Sequence, residues 1–347
     1  MPILAIIIFL LTQLAHRNPA PTENIYARKI YPLIANILSS VSNIFVFSLD
    51  DIFYLLLIAN LLLVIFLLFF RKIPFVIAGK VILNILAVTY ILFYLFWGFN
   101  YFRSDLHQRL EITQQEPNKE FFIEQLKKQI EITNHSWSTF DTVSLEQIDK
   151  EIENSYKNLA EPLKINYPAG KRRAKNITLS RFFAKAGISG YYGPFFNEVH
   201  VNSLILPVEY PFVLAHEKAH QFGITNEAEA NFYAWLVCTE SDSKQLQYSA
   251  NLHILRYFLF QGYSLEEYPL IISALDDRVK KDLQAISENW KNLRDEKIDK
   301  VASKANDIYL KSNKIEKGIE NYHGVLKFVM DYSSDTDFQN KYNLTPR

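Results

Sequence analysis

From Ile52 to Phe70 the chain runs 19 residues without a charge, its most polar members being Asn60 and Tyr54. At about 1.5 Å per residue a helix of that length extends roughly 30 Å, the thickness of a bilayer core. Pro74 to Trp97 is a second such run, broken only by Lys80. Lys80 lies near its start, where a long side chain can snorkel to the interface. Soluble helices rarely go so far without a polar face, so two membrane spans are expected, 52–70 and 74–97, joined by the turn Arg71-Lys72-Ile73-Pro74. These runs split the chain. Residues 1–100 hold six basic and three acidic groups, and the other 247 hold 31 basic and 34 acidic. The whole-chain balance of 37 against 37 describes neither part.

The remaining membrane-side sequence is less regular. Residues 2–15 are apolar, lack a basic flank before them and lack a small-residue cleavage pattern after them, so they read as a short first span. Within 24–47, Ile30, Ile34, Ile37, Leu38, Val41 and Phe45 fall at helical spacing. This amphipathic segment is expected on the membrane surface or under the later domain. Positive residues favour the cytoplasmic side, which puts Met1 and the Arg71-Lys72 turn inside, and residues 16–50 and everything beyond Trp97 outside. Arg17, Arg28 and Lys29 run against that rule. Trp97, Phe99, Tyr101, Phe102 and Arg103 read as an interfacial aromatic belt. The expected division is a membrane anchor over 1–103 and a second domain over 104–347.

Zero net charge without a basic block argues against a nucleic-acid partner. A single cysteine, Cys238, excludes an intramolecular disulfide and any multi-cysteine metal site. Ser144-Leu-Glu-Gln147 is a capping box that opens a helix with Leu145, Ile148, Ile152 and Tyr156 on one face. Ile177-Thr-Leu, Gly187 to Pro194 and Asn197 to Asn202 read as short strands with turns. Helical patterns resume at Phe212, with breaks near Gly223, Gly262 and Gly318. The expected class is α+β, mostly helical, with a small sheet.

The chemistry concentrates in His216-Glu217-Lys218-Ala219-His220. On a helix, His216 and His220 stand about 40° apart and one turn along the axis, and two imidazoles so placed can bind one tetrahedral Zn²⁺. Glu217 can reach a water on that metal without ligating it, as general base and then general acid. Gly223 stops the helix, and Asn226 caps a second one. The first turn of that helix offers a third ligand, Glu227, with Glu229 as the alternative since the two diverge by about 200°. Asn231, on the face of Glu227, is placed to hydrogen-bond a ligating imidazole.

His216-Glu-Lys-Ala-His220 followed by Glu227-Ala-Glu-Ala-Asn231 resembles the gluzincin branch of zinc metallopeptidases. A metzincin would need His where Asn226 stands, and a nearby methionine turn. A wider resemblance is to an uncharacterised bacterial family of membrane-anchored proteins, through Gly190-Tyr-Tyr-Gly-Pro with Val201-Asn202, Tyr248-Ser249, and Tyr309-Leu-Lys-Ser-Asn313 with Gly318 and Tyr322. The resemblance implies a zincin-like domain and an edge strand over Val199, Val201 and Asn202 that pairs with extended substrate. Lys218 departs from the uncharged middle positions usual in that motif and is expected to point to solvent. Tyr248, His253, Arg256, Tyr322 and His323 are the candidates for stabilising a transition-state oxyanion.

Together these readings lead to the expectation of a multi-pass bacterial inner-membrane zinc peptidase. Its catalytic domain would lie outside the cytoplasm, its partners would be the bilayer and a peptide or protein substrate, and its oligomeric state is left open. The distance in sequence between motif and spans argues against cleavage within the bilayer. The rival from another class is a membrane-tethered binding or sensory module with a structural zinc.

Overall fold

The computed structural model describes residues 1–116, 118–140, 144–168, 170–315 and 324–344. Gly318, Tyr322 and His323 fall outside that set. The described residues are mostly helical, with one sheet of three short strands.

The two charge-free runs form helices Leu49–Phe69 and Phe75–Phe96, both long and apolar enough to cross a membrane. Most of their large apolar side chains are exposed, as lipid-facing helices require. Ser48 caps the first helix by accepting from Asp51 N at 2.9 Å. Arg71 and Lys72 are exposed in the turn between the two. The expected N-terminal span is a helix over Pro2–Arg17, about 24 Å long and shorter than the two clear spans. It packs along the second spanning helix, with Ile8 against Ile91 and Tyr94. The chain then bends by 106° into helical residues Pro19–Ser42.

That next segment is helical, as its spacing predicted. Its buried positions are Thr22, Glu23, Ala27, Tyr31, Ala35, Ser39 and Ser42, whereas Ile30, Ile37 and Val41 are exposed. The mostly small and polar face packs on the protein, and these apolar side chains are left uncovered, as on a membrane-surface helix. The cluster read as an aromatic belt is internal. Trp97 and Phe102 are buried, and Arg103 bonds Glu23 Oε2 at 2.7 Å.

Beyond residue 103 the largest core gathers Leu126 and Ile130 of helix Lys119–Ser136, Ile148, Ile152 and Tyr156 of helix Leu145–Asn158, and the helices that follow the motif. Ser144 Oγ caps this helix as expected by accepting from Gln147 N at 3.1 Å, whereas the Gln147 side chain donates to Glu151 at 3.0 Å rather than closing the box. The sheet comprises β1 (Ala174–Asn176), β2 (Gly190–Gly193) and β3 (Glu198–Val201), in the order β1-β3-β2. β3 pairs parallel with β1 and antiparallel with β2, Tyr191 lying opposite His200. This placement corrects the reading of Val199, Val201 and Asn202 as a substrate edge. β3 is the central strand, both valines are buried, and Asn202 Nδ2 is held by the carbonyls of Ser180 and Ile188.

The anchor and the remainder are joined by buried polar bonds. Glu198, on β3, accepts from Ser48 Oγ at 2.8 Å and from the backbone N–H of Leu49 at 3.1 Å and Asp50 at 3.1 Å. It thereby caps the first spanning helix, where the helix dipole favours a carboxylate. Lys175 and His200 also contact Glu198. Burial opposes its charge, but the donors from His200, Lys175, Leu49 and Ser48 outweigh burial and hold the carboxyl down at about 2. At the other spanning helix, Trp97 Nε1 donates to the His220 carbonyl at 2.9 Å. Both ends of the hairpin opposite the Arg71-Lys72 turn therefore touch the larger part of the molecule.

Candidate metal centre and its cleft

The motif lies on helix Tyr210–Gln221, with Pro211 in its first turn. Its apolar residues Phe212, Leu214, Ala215 and Ala219 are buried. Gly223 ends it at φ +84°, where L residues are strained, and a Cβ there would stand 2.9 Å from the Tyr31 ring. The reversal leads to Asn226, whose side chain accepts from Glu229 N at 3.1 Å and caps helix Glu227–Thr239.

This turn brings three groups to one point. His216 Nε2 and His220 Nε2 are 3.2 Å apart, and Glu227 Oε2 lies 3.2 Å from the first and 3.4 Å from the second. Tetrahedral ligands held about 2.0–2.1 Å from one ion stand about 3.3 Å apart, so these spacings fit one metal. His220 Nδ1 is 2.7 Å from the Ile224 carbonyl, the partner that orients a ligating imidazole. Glu227 Oε2 is buried and has no hydrogen-bond donor other than these imidazoles among the described residues. Burial opposes its charge, but the imidazoles hold it well below the usual carboxylate range. Burial likewise opposes charge on His220, and Glu227 raises it to about 9.

Glu229 is not part of this cluster: its Oε2 pairs with Arg109 at 2.6 Å. Asn231 donates to Tyr257 Oη at 3.3 Å instead of to an imidazole. It still lines the cleft beside the centre. Lys218, expected in solvent, is fully buried. Its ammonium bonds Asp149 at 2.7 Å and Glu153, which also meets Arg172 at 3.0 Å. The charge faces away from the metal side because helix Leu145–Asn158 packs behind the motif and supplies the acids. Burial works against charge on Glu153, yet Lys218 and Arg172 hold it down at about 2.

Glu217 is buried and lines a cleft of about 830 Å³ together with His216, His220 and Glu227. Burial raises its carboxyl above the ordinary value. It lies against Gly190 of β2, where a Cβ would sit 2.7 Å from Glu217 Oε1 and 2.9 Å from the His200 carbonyl. Only glycine leaves that room. β2 is an edge strand on the cleft side. Asn202 N donates to Ser189 O at 2.8 Å, so by the antiparallel alternation Gly190 and Tyr192 turn their N–H and C=O toward the open edge.

Among the proposed oxyanion donors, His253 and Arg256 line the cleft. His253 stacks on Phe212 at 3.7 Å between ring centroids, and Arg256 lies 3.6 Å from Glu209. Tyr248 is elsewhere, bonded to Asp282 at 2.5 Å. Sequence reasoning missed Tyr257, Tyr309 and three groups from the membrane side, Tyr54, Phe93 and Trp97, all of which line the cleft. The sequence signals among them were the aromatic density after residue 90, for Phe93 and Trp97, and the segment Tyr309-Leu-Lys-Ser-Asn313.

Residues 26–330 match the family described as "Protein of unknown function (DUF3810)". The chain belongs to that family. No curated protein and no solved structure matches it. The family description carries no activity, so the chemistry of the site rests on the geometry above.

Proposed function

We propose that this DUF3810 protein is a membrane-anchored zinc-dependent peptidase of gluzincin type. The observation that carries the reading is the triangle of His216, His220 and Glu227, whose spacing and unpaired carboxylate oxygen suit one tetrahedral ion. Zn²⁺ held there by three protein ligands would leave a fourth position open, acting as a Lewis acid and lowering the pKa of water. A closed structural site would use all four positions, and no fourth protein ligand belongs to the cluster among the described residues.

Glu217 takes the proton of the attacking water and delivers it to the leaving amine. Its burial beside Gly190 keeps it from bulk water and favours that shuttle. The open edge of β2 suits an extended peptide, with Gly190 and Tyr192 supplying backbone bonds in register beside Glu217. The positive-inside rule puts the Arg71-Lys72 turn in the cytoplasm and the catalytic part outside it.

The test is Glu217→Gln in the full chain. We expect one zinc per chain to be retained, with peptide hydrolysis reduced by about 10²–10⁴-fold. Unchanged hydrolysis would remove Glu217 from the mechanism. Absence of stoichiometric zinc in the unmodified protein would remove the metal.

A further inference from the structure

We infer that the substrate is a polypeptide anchored in the same bilayer and cut in its juxtamembrane stretch; this rests on the peptidase reading above. The cleft holding Glu217 is walled on one side by Tyr54 and Phe93, which belong to the two spanning helices. Phe93 lies three residues before the end of its helix and Tyr54 five residues after the start of its own, so both are within about 8 Å of the helix ends. Helices of 21 and 22 residues match a bilayer core of about 30 Å. The aromatic floor of the cleft therefore sits at the depth of the membrane interface.

The metal centre is fastened at that same level. Trp97, the residue after the second span, donates to the His220 carbonyl, and its ring lies 6.2 Å from the His220 ring and 5.1 Å from Tyr192. Phe93 continues the row at 6.0 Å from Trp97 and 6.3 Å from Tyr309. Tyr309 belongs to helix Glu296–Ser312, which faces the cleft with Asp299, Ala302, Ser303 and Asn306, and Arg294 lies 4.0 Å from Asp299 on the same side. A chain laid along the edge of β2 thus runs between a polar wall, which includes Asp299 and Arg294, and an aromatic floor at the bilayer surface. A peptide leaving the membrane meets this path within a few residues. A free peptide reaches it only from bulk water, without the gain in effective concentration that shared anchoring provides.

The experiment uses the full chain with zinc in phosphatidylethanolamine–phosphatidylglycerol vesicles. Two randomised decapeptide libraries are compared, one carrying a palmitoyl chain on a four-residue spacer and one without it. The acylated library is expected to be cut about 10-fold faster or more, with cuts close to the anchor. Moving the anchor onto a spacer of thirty residues should abolish the positional bias. A second readout does not depend on turnover. In Glu217→Gln, a benzophenone on the short-spacer acylated peptide should cross-link to β2 and the residues around Phe93.

Equal cleavage of both libraries, or cross-links outside the cleft, would overturn the anchored-substrate inference while leaving a peptidase. No cleavage of either library, with cross-links still confined to the cleft, would overturn the peptidase reading and support an anchored polypeptide as the occupant.

Discussion

At the scale of single residues, the decisive facts concern which partner each buried charge finds. Glu227 and Glu229 are two positions apart, and one finds two imidazoles while the other finds Arg109. Glu227→Ala should therefore abolish stoichiometric zinc binding by elemental analysis, whereas Glu229→Ala should retain the metal and lose stability. Lys218 makes the opposite point. With its ammonium buried against Asp149 and Glu153, Lys218→Ala leaves Asp149 without a cation and Glu153 with Arg172 alone, and should cost about 3–5 kcal/mol in thermal or denaturant unfolding. Gly190 tests the shuttle more gently. Gly190→Ala forces Glu217 aside, so hydrolysis should fall while zinc content stays at one per chain.

Elements are tied together by groups far apart in the chain. His107, on helix Leu106–Leu110, bonds Asp331 of helix Val325–Ser334 at 2.7 Å. Burial disfavours the imidazolium, but Asp105 and Asp331 outweigh it and raise His107 to about 9 from an ordinary 6.5. A group raised on folding contributes fully below its unfolded value and loses that contribution as pH rises through its folded value. Unfolding temperature should thus decline between pH 6.5 and about 9, and the slope should flatten in His107→Gln. Within elements, local rules served well: the Ser144 and Asn226 caps and the stop at Gly223 formed as their residue types demand. Strand roles did not follow. A four-residue strand reads the same at the centre or the edge of a sheet, and only pairing with both β1 and β2 made β3 central.

For the whole molecule, the division at residue 103 marks a change of solvent but not of packing. Glu198, Lys175 and His200 depend on partners at Ser42 to Asp50, and the motif helix leans on Tyr31 and Trp97. A chain beginning at residue 104 would strip these groups of those partners. It should be insoluble or bind zinc weakly, as solubility and metal titration would report. Glu198→Ala in the full chain should be destabilising for the same reason, since it strands the buried Lys175 ammonium.

By itself the sequence determined whatever helix geometry carries over a few residues. The two lipid-facing spans are legible because a bilayer needs about 20 apolar residues in a row, and the imidazole pair because four residues make one turn. Family membership adds most of the chain to that reading without adding chemistry. Tertiary structure alone decided which glutamate joins the histidines, which strand offers its edge, and how near that cluster lies to the ends of the two long apolar helices. His220 and Trp97 are 123 positions apart and share a hydrogen bond. Such closeness depends on how the chain returns on itself to pair its buried polar groups, and no local period records it.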